Sequence, residues 1–516
     1  MQHATATSAA RPAKLARVPA RALDAACVVA LAVVLRLIAG VGFVNYDTLY
    51  ALAWGGQLAH GHTPAYEVPI APTPHPLLEL LGLILSPLGP GATRDVTVAL
   101  AFGALALCAW VIHRLGASWF SRAAGAIAAL LFLTRVPVLS YGVRAYVDIP
   151  YVLLVLAALL VESEARRRGP TAAGVRRTGG ARVLALLALA GLLRPEAWAF
   201  TALYWCYEMG LCPRRLLPPG SPPARSRGEL ARLTALAASA PVVWLASDLL
   251  VTGNPLWSLK NTRHTASELG RVTGIANVPE YVPRRIGEIL QAPVLLAAAL
   301  GGALSLLWLR GRALLGACAG AIAVLVLAAF ATAGLPINTR YAFLAAAVLC
   351  VFAGAGVAGW ANLPRGDRRR TWWLGAAALA LIALLAYAPS QYRSAHRELS
   401  KLARQQSIEG DLLALVHDGA IALRCGPVGV PNHAPIPLLA LYLKTSPARI
   451  VSAQVGHIEK GLYVEPASRE VERDYVLDPR DPHVPVGVPP GFHERATSRS
   501  WLVFERCGQP PPVRVG

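Results

Sequence analysis

Charged residues are scarce in this sequence. Asp, Glu, Lys and Arg make up 15% of the 516 positions, whereas hydrophobic residues make up 55%. Soluble domains average about 25% charged residues, and the mean hydropathy here is +0.47. Such a composition excludes an ordinary soluble domain and favours a membrane as the solvent of most of the chain.

Acidic residues are the scarcer of the two charge types. The sequence holds 29 Asp and Glu against 49 Lys and Arg, so its formal net charge is +20. In a soluble protein this excess would indicate nucleic-acid binding. Here the arginines lie mainly in short loops between apolar blocks, where they determine membrane orientation. Nucleic acid is therefore excluded as a partner.

Two sequence features of other protein classes are also missing. We find no glycine-rich loop in a context that would bind a nucleotide, which argues against a soluble nucleotide-linked substrate. We also find no internal repeat, although inverted repeats are typical of transporters.

The apolar blocks predict an all-α polytopic membrane bundle of about eleven spans. The first is too long for a signal peptide and is predicted to stay uncleaved. The segment 76–88 is short, carries Glu79 and is bounded by prolines, so we expect a re-entrant or interfacial helix there. The predicted spans are 24–44, 95–113, 122–139, 149–163, 182–194, 197–210, 231–250, 290–309, 313–333, 342–360 and 372–388.

Basic loops predict the orientation of the bundle in a cell membrane. The arginine-rich loops should face the cytoplasm together with the N-terminus, and an odd number of spans then places the tail outside. We predict a cytoplasmic segment 1–23, a membrane domain 24–389 and an extracytoplasmic α/β or mostly β domain 390–516. Cys425 and Cys507 are the two cysteines of this polar tail, and they could pair in an oxidising compartment.

The predicted topology places many polar side chains on the outer face. Ionisable residues at membrane depth are costly and normally line a functional cavity. Carboxylates beside cations suit a transfer from a lipid phosphate, in which a carboxylate deprotonates the acceptor hydroxyl and Arg or Lys stabilises the departing phosphate. The candidates are the carboxylates Asp47, Glu67, Asp148 and Glu196, the cations Arg144, Arg194, Lys260, Arg263 and Arg340, and His75, His264 and Tyr341.

Two groups of these candidates have alternative explanations. Lys260, Arg263 and His264 lie beside Trp257, and they could be interfacial anchors or a pocket for a polyprenol phosphate. His60 and His62 form an H-x-H pair, but such spacing is weak support for a metal ligand set. We therefore predict no metal site and no certain cofactor, although a divalent ion stays open.

The order of several short motifs resembles the GT-C superfamily of membrane glycosyltransferases, which includes protein O-mannosyltransferases and aminoarabinose transferases. Asp47 follows the first span. After it come Tyr50, Ala53 and GHTPAY at 61–66, then PHPL at 74–77 opening an apolar segment. The RAYVD, LLRPE and Arg340–Tyr341 segments resemble further landmarks of the superfamily, so the similarity covers most of residues 24–345.

The resemblance implies a polyprenyl-phosphate-linked sugar as donor and inversion at the sugar carbon. It also implies that Asp47 is the general base, that Asp148 is a supporting catalytic carboxylate and that Arg340 lies near the lipid phosphate. Asp47 is followed by Thr48 rather than by an acidic residue, which argues against a protein mannosyltransferase. The acceptor is then left open as a cell-envelope glycan, lipid or protein.

Two rival functions remain at the level of sequence. A transporter or flippase of a lipid-linked sugar would use the same cationic loops, but it would need alternating access. A non-catalytic membrane scaffold would not need Asp47. In every case membrane lipids are partners of the chain.

Overall fold

The computed structural model describes residues 20–172, 174–211, 225–423, 425–476 and 487–507. The predicted cytoplasmic segment 1–23 lies outside the described residues except for its last four. The described chain consists of a helical bundle followed by a small sheet.

Most helices of the bundle are joined by short turns, and longer connections follow the second, seventh and ninth helices. In chain order the helices are α1 (Ala20–Ala39), α2 (Tyr46–Ala59), α3 (Pro76–Leu85), α4 (Pro90–Trp119), α5 (Arg122–Leu133), α6 (Val136–Val143), α7 (Asp148–Arg167), α8 (Ala181–Gly191), α9 (Glu196–Glu208), α10 (Arg227–Thr252), α11 (Trp257–Glu268), α12 (Val278–Trp308), α13 (Arg310–Thr332), α14 (Phe343–Ala358) and α15 (Arg368–His417).

Seven helices of the described chain are long and apolar enough to cross a membrane, or eight if one bent pair counts as a single span. The bent pair is α5 and α6, which meet at 67° and replace the straight span predicted over 122–139. Helices α8 and α9 fall on two further predicted spans but have only 11 and 13 residues. The membrane bundle is thus observed, whereas the count of eleven spans is not confirmed.

Helix α3 occupies the segment predicted to be re-entrant or interfacial. Together with the turn that follows, its apolar stretch extends only over Pro76–Leu88, which is shorter than the roughly 20 residues needed to span a bilayer. Its Gly82 packs directly on the backbone of Leu52 in α2, where a Cβ atom would lie 2.8 Å from the Leu52 Cα. This close approach holds α2 and α3 together as one layer.

The C-terminal part contains a five-stranded mixed sheet in the order β2-β1-β3-β5-β4. Strand β1 pairs in parallel with β2 and β3, while β5 pairs antiparallel with β3 and β4. Helix α16 (Ile436–Tyr442) lies between β1 and β2 in the chain, and the short α17 (Arg469–Val471) follows β3. The strands are β1 (Val428–Val430), β2 (Ile450–Ser452), β3 (Gly461–Pro466), β4 (His493–Thr497) and β5 (Trp501–Arg506).

Helix α15 connects the bundle and the sheet. It is continuous over 50 residues, so the predicted domain boundary at 389/390 falls inside it, next to Pro389. Its C-terminal end shares one hydrophobic core with α2, α16 and the sheet, in which Leu52, Leu412 and Val464 are fully buried. Arg94 at the start of α4 also forms a buried ion pair with Glu409 of α15.

The expected cysteine pair is present. Cys425 and Cys507 form a disulfide with their Cα atoms 5.3 Å apart. Cys425 lies shortly before β1, and Cys507 directly follows β5. The bond therefore closes the C-terminal domain upon itself.

Candidate active site

The candidate site begins at the first turn of α2, which carries Asp47. Asn45 caps this helix, since its side-chain oxygen accepts hydrogen bonds from the backbone N–H groups of Asp47 at 2.8 Å and Thr48 at 3.3 Å. Asn is among the preferred residues at this position because its short side chain reaches the unpaired N–H groups of the first turn. The cap fixes the backbone that presents Asp47.

The same cap ties α2 to the RAYVD segment before α7. The Asn45 amide nitrogen donates to the carbonyl oxygens of Arg144 and Ala145, each at 3.0 Å, and the Thr48 hydroxyl donates to Ala145 O at 2.8 Å. Ala145 has a φ of +52°, which is uncommon for a residue with a side chain and costs free energy. These bonds hold the strained turn directly before Asp148.

A chain of alternating carboxylates and guanidinium groups runs through the site. Arg340 Nη1 lies 2.5 Å from Asp47 Oδ2 and 3.8 Å from Asp148 Oδ2. Arg194 then pairs with the other oxygen of Asp148 and with Glu196. The order is therefore Asp47–Arg340–Asp148–Arg194–Glu196, which we call the ion-pair chain. Its members come from the starts of α2, α7 and α9 and from the turns before α9 and α14.

The members of the ion-pair chain differ in accessibility. The side chains of Arg340 and Asp47 are 21% and 14% exposed, whereas those of Asp148 and Arg194 are 1% and 7% exposed. A substrate can therefore reach Asp47 and Arg340 but not Asp148. This difference makes Asp47 the carboxylate suited to touch a substrate and Asp148 the one that holds the two arginines.

The turn that carries Arg340 is fixed from α12. Thr339 donates its hydroxyl to Glu288 at 2.8 Å. Arg285 donates to the Ile337 carbonyl at 3.1 Å and to both oxygens of Glu288 at 2.9 Å. Because three polar side chains of two segments meet here, the position of Arg340 does not depend on its partner carboxylates alone.

Aromatic rings line the arginines. The guanidinium carbon of Arg194 lies 4.0 Å from the centroid of the Tyr341 ring, and that of Arg340 lies 5.4 Å from the same ring and 5.5 Å from Tyr146. Such distances permit cation–π attraction. Tyr341 therefore contacts both arginines of the ion-pair chain, and its role in substrate binding stays a prediction.

Burial and charge act in opposite directions on Asp47. Burial raises the pKa of its carboxyl group, but Arg340, through its charge and its hydrogen bond, together with His75 and Arg194 lowers it by more, and the resulting pKa lies below the ordinary value. Asp47 is thus ionised at neutral pH. His75, the residue before α3, is buried, and burial lowers the pKa of its imidazole to about 4, so it is neutral beside the charged groups.

Five predicted candidates lie apart from the ion-pair chain. The Arg144 guanidinium turns to Ser140, with its Nη2 2.9 Å from the Ser140 hydroxyl. Glu67 and Lys260 are exposed. Arg263 donates to the Ala333 carbonyl at 2.6 Å, and His264 pairs with Glu268 at 3.2 Å within α11. Their roles in substrate binding stay predictions.

The structure offers no ready metal site among the residues that it describes. No group of three His, Cys, Asp or Glu side chains there could hold a metal ion. Asp47, Asp148 and Glu196 are each paired with arginine, so their oxygens already have cationic partners. These carboxylates do not fit a metal, and we derive no chemical step through one.

Sequence reasoning missed the residues that position the site. Asn45, Thr48 and Glu288 touch no candidate substrate position, yet they fix Asp47, Ala145 and Arg340. The pattern Asn-Tyr-Asp-Thr just after an apolar span is a recognisable helix start and could have revealed the cap. Nothing in the sequence shows that α12 contacts the turn before Arg340.

A small cavity of about 10 Å³ adjoins the ion-pair chain. At its polar end it is lined by Arg194, Glu196 and Tyr341. Its remaining wall comes from α9, α13 and α14 and consists of Phe200, Ala323, Val326, Leu327 and Leu344, with Tyr151 beside them. The charged groups therefore adjoin apolar side chains of three helices.

The fold built from these elements resembles that of a solved membrane glycosyltransferase, in agreement with the resemblance that the motifs indicated. Crystal structures of ArnT, the aminoarabinose transferase, from Cupriavidus metallidurans are similar to the chain. The structure bound to undecaprenyl phosphate has 14% identity and a TM-score of 0.54, with 93% of this chain and 97% of that chain covered. For the apo structure the identity is 15%, the coverage 94% and 98%, and the TM-score 0.54.

The apo oligosaccharyltransferase of Archaeoglobus fulgidus also matches, with 12% identity over 87% of this chain and 69% of that chain. Its TM-score is only 0.48, so we base no argument on it. No protein-family model matches the sequence, and no curated protein matches it either. At these identities the likeness concerns the fold alone.

Proposed function

We propose that the chain is a GT-C glycosyltransferase that moves a sugar from a polyprenyl phosphate to an acceptor outside the cytoplasm, with inversion at the sugar carbon. The observation that carries the proposal is the accessible Asp47–Arg340 pair at the end of a buried ion-pair chain. It joins an ionised carboxylate, which suits a general base, to a guanidinium group, which suits a phosphate.

The pair implies an exchange of partners when the donor binds. The donor phosphate is an anion and competes with Asp47 for the Arg340 guanidinium. Once the phosphate is bound, the freed Asp47 carboxylate accepts the proton of the acceptor hydroxyl. The acceptor oxygen forms its bond to the anomeric carbon while the bond from that carbon to the phosphate oxygen breaks. The bonding electrons leave on the phosphate, where Arg340 stabilises the added charge.

Asp148, Arg194 and Glu196 act behind this pair as positioning residues. Asp148 is buried between the two arginines, and Glu196 pairs with Arg194. The two carboxylates outweigh the one guanidinium, so the three residues attract the Arg340 cation and hold it while its bond to Asp47 is exchanged for one to phosphate.

The donor is proposed to be lipid-linked because the charged groups lie among apolar helices, with Phe200, Leu327 and Leu344 next to Arg194 and Glu196. The similar structure of ArnT was determined with undecaprenyl phosphate bound, which supports a polyprenyl phosphate carrier for this chain as well.

We propose that the site faces the extracytoplasmic side, as the basic loops predict. The Cys425–Cys507 disulfide supports this orientation, since disulfides persist in oxidising compartments. Tyr46, the neighbour of Asp47, packs its ring 5.2 Å from that of His433 in the C-terminal domain. That domain therefore borders the site, and an envelope glycan, lipid or protein acceptor would enter beside it.

The test is to incubate the purified protein with synthetic polyprenyl-phosphate sugars and crude envelope acceptors. We expect one donor to be consumed, with release of free polyprenyl phosphate and appearance of sugar on an acceptor. A transporter or flippase would move the donor between leaflets of a vesicle and leave its sugar–phosphate bond intact. A scaffold would neither move the donor nor cleave it. Transport without cleavage, or no reaction with any donor, would therefore contradict the proposal.

A further inference from the structure

A second polar cluster lies at the other end of the helices that hold the active site. Helices α7 and α9 begin at Asp148 and Glu196, and α8 ends shortly before Arg194. All three helices run away from these residues. Glu162 is fourteen residues along α7 from Asp148, a rise of about 21 Å in an α-helix. The cluster near Glu162 is therefore on the opposite side of the bundle.

The loop between α7 and α8 is folded inward at this cluster. Its first part is a tight turn in which the backbone N–H groups of Gly174 and Val175 both bond to Thr171. Its end is tied to the neighbouring helices, because Gly179 N donates to Glu162 at 2.8 Å and Gly180 N donates to the Tyr204 hydroxyl at 2.9 Å. These bonds force the residues between the two ends against the bundle.

Arg176 lies in that folded loop and is only 7% exposed. Its Nε and Nη1 atoms are buried and have no hydrogen-bond partner within the described chain, and neither has the hydroxyl of Tyr207 beside it. The Arg176 guanidinium carbon lies 5.7 Å from the centroid of the Tyr207 ring. Buried polar groups are nearly always hydrogen-bonded, and leaving a charged one unpaired is costly. These donors therefore lack an acceptor.

The carboxylates of the cluster are already engaged by other arginines. Glu162 pairs with Arg166 at 2.7 Å, and Glu208 pairs through one oxygen with Arg225. The Arg166 guanidinium carbon also lies near Tyr207, 5.2 Å from the ring centroid. Two guanidinium groups thus flank one tyrosine, and only Arg166 has a carboxylate of its own.

We propose that Arg176, Tyr207 and Arg166 form a second site, which binds a phosphate group at the membrane face opposite Asp47. A planar guanidinium presents two N–H groups to two phosphate oxygens, and the Tyr207 hydroxyl supplies a third donor. Phosphate headgroups of membrane lipids lie at the depth where the spans end, and basic pockets between helices bind them. The site is distinct from the ion-pair chain and does not depend on its chemistry.

The test measures binding to the purified full-length protein in detergent. The probes are a short-chain phosphatidic acid, inorganic phosphate and a short-chain diacylglycerol without phosphate. We expect phosphatidic acid to bind and diacylglycerol not to bind. Arg176→Gln should weaken the binding about tenfold or more, because it removes hydrogen bonds between charged groups. Tyr207→Phe keeps the ring and should weaken it less, which covers the case that Arg176→Gln fails to fold.

Two controls separate this site from other causes. Arg177→Gln removes the same charge from the exposed neighbouring position, and Arg340→Ala removes the phosphate ligand proposed for the donor. Both should bind within about twofold of the wild type. If inorganic phosphate binds as tightly as phosphatidic acid and depends on Arg176, the site is supported and its ligand is soluble. Equal losses in Arg176→Gln and Arg177→Gln, or a loss only in Arg340→Ala, would overturn the proposal.

Discussion

Replacing Arg340 tests how the donor phosphate is held. Arg340→Ala removes the guanidinium group that we assign to the departing phosphate, while Thr339, Arg285 and Glu288 still fix the turn. Groups that stabilise charge developed in the transition state are each worth about 10²–10³ in kcat, or roughly 2.7–4 kcal/mol. We expect a loss of that size in kcat/KM for donor consumption. Arg340→Lys keeps the charge without the planar fork and should lie between the wild type and Ala.

The same substitution should change the pH dependence of the reaction. In the wild type, Arg340 lowers the pKa of Asp47 against the effect of burial. Without Arg340, burial dominates and the pKa of Asp47 rises. A general base works only when ionised, so the fall of kcat/KM at acid pH should begin at a higher pH in Arg340→Ala than in the wild type.

The assay is donor consumption at several donor concentrations and pH values for the wild type and both variants. A lower kcat, together with a fall of kcat/KM that begins at a higher pH, would show that Arg340 both stabilises the phosphate and lowers the pKa of Asp47. If both variants match the wild type in kcat, KM and pH profile, Arg340 is an interfacial anchor and the phosphate site lies elsewhere.

The remaining predictions concern the support of the site and its orientation. Asp148→Ala removes a carboxylate partner from the buried Arg194 and should lower the free energy of unfolding by about 3–5 kcal/mol. Asp24→Ala, which breaks an exposed pair, should cost less than about 1 kcal/mol in the same detergent melt. Asn45→Ala should cost about 1 kcal/mol for the lost cap and reduce turnover more than donor affinity; unchanged turnover would contradict a positioning role. A cysteine at exposed His264 should react with an impermeant thiol reagent on intact cells and one at exposed Arg227 should not; the reverse pattern would place the site inside the cytoplasm.

Long apolar runs made the membrane bundle predictable. The predicted span 95–113 lies within α4, and the predicted span 313–333 lies within α13 except for its last residue, because a bilayer requires about 20 apolar residues in helical form. Composition did not show where a span bends or how far a helix continues beyond the membrane. The 67° bend between α5 and α6 and the 50-residue α15 both depend on tertiary contacts.

The order of the motifs predicted which charges meet, but not how they meet. Asp47, Asp148 and Arg340 are distant in sequence. Each stands at the predicted outer end of an apolar block, which is why the sequence predicts that they meet. The same reasoning also included Arg263 and His264, which are exposed and bonded within or beside α11. Position along the membrane normal is readable from sequence, whereas lateral position in the bundle is set by packing.

The Arg176 cluster had no sequence signal of its own. Arg176 stands among the arginines of a basic loop, where such residues are normally solvated and determine topology. Only the hydrogen bonds from Gly179 and Gly180 to Glu162 and Tyr204 turn that loop inward. A buried arginine therefore could not be told from an exposed one before the fold was known.

The central claim is that Asp47 is the general base of a sugar transfer from a polyprenyl phosphate. The most direct measurement is single-turnover donor consumption by Asp47→Asn. Asp95→Asn is the control, because Asp95 is an exposed acidic residue near the start of α4. The amide keeps the size of the carboxyl group, and Arg340 retains Asp148 nearby, so donor binding should persist.

Positioned bases contribute about 10²–10⁴-fold to rate, which corresponds to roughly 2.7–5.4 kcal/mol in the barrier. We predict that Asp47→Asn binds donor with near wild-type affinity and consumes it at least about 100-fold more slowly, while Asp95→Asn matches the wild type. Near-normal consumption by Asp47→Asn would contradict the account.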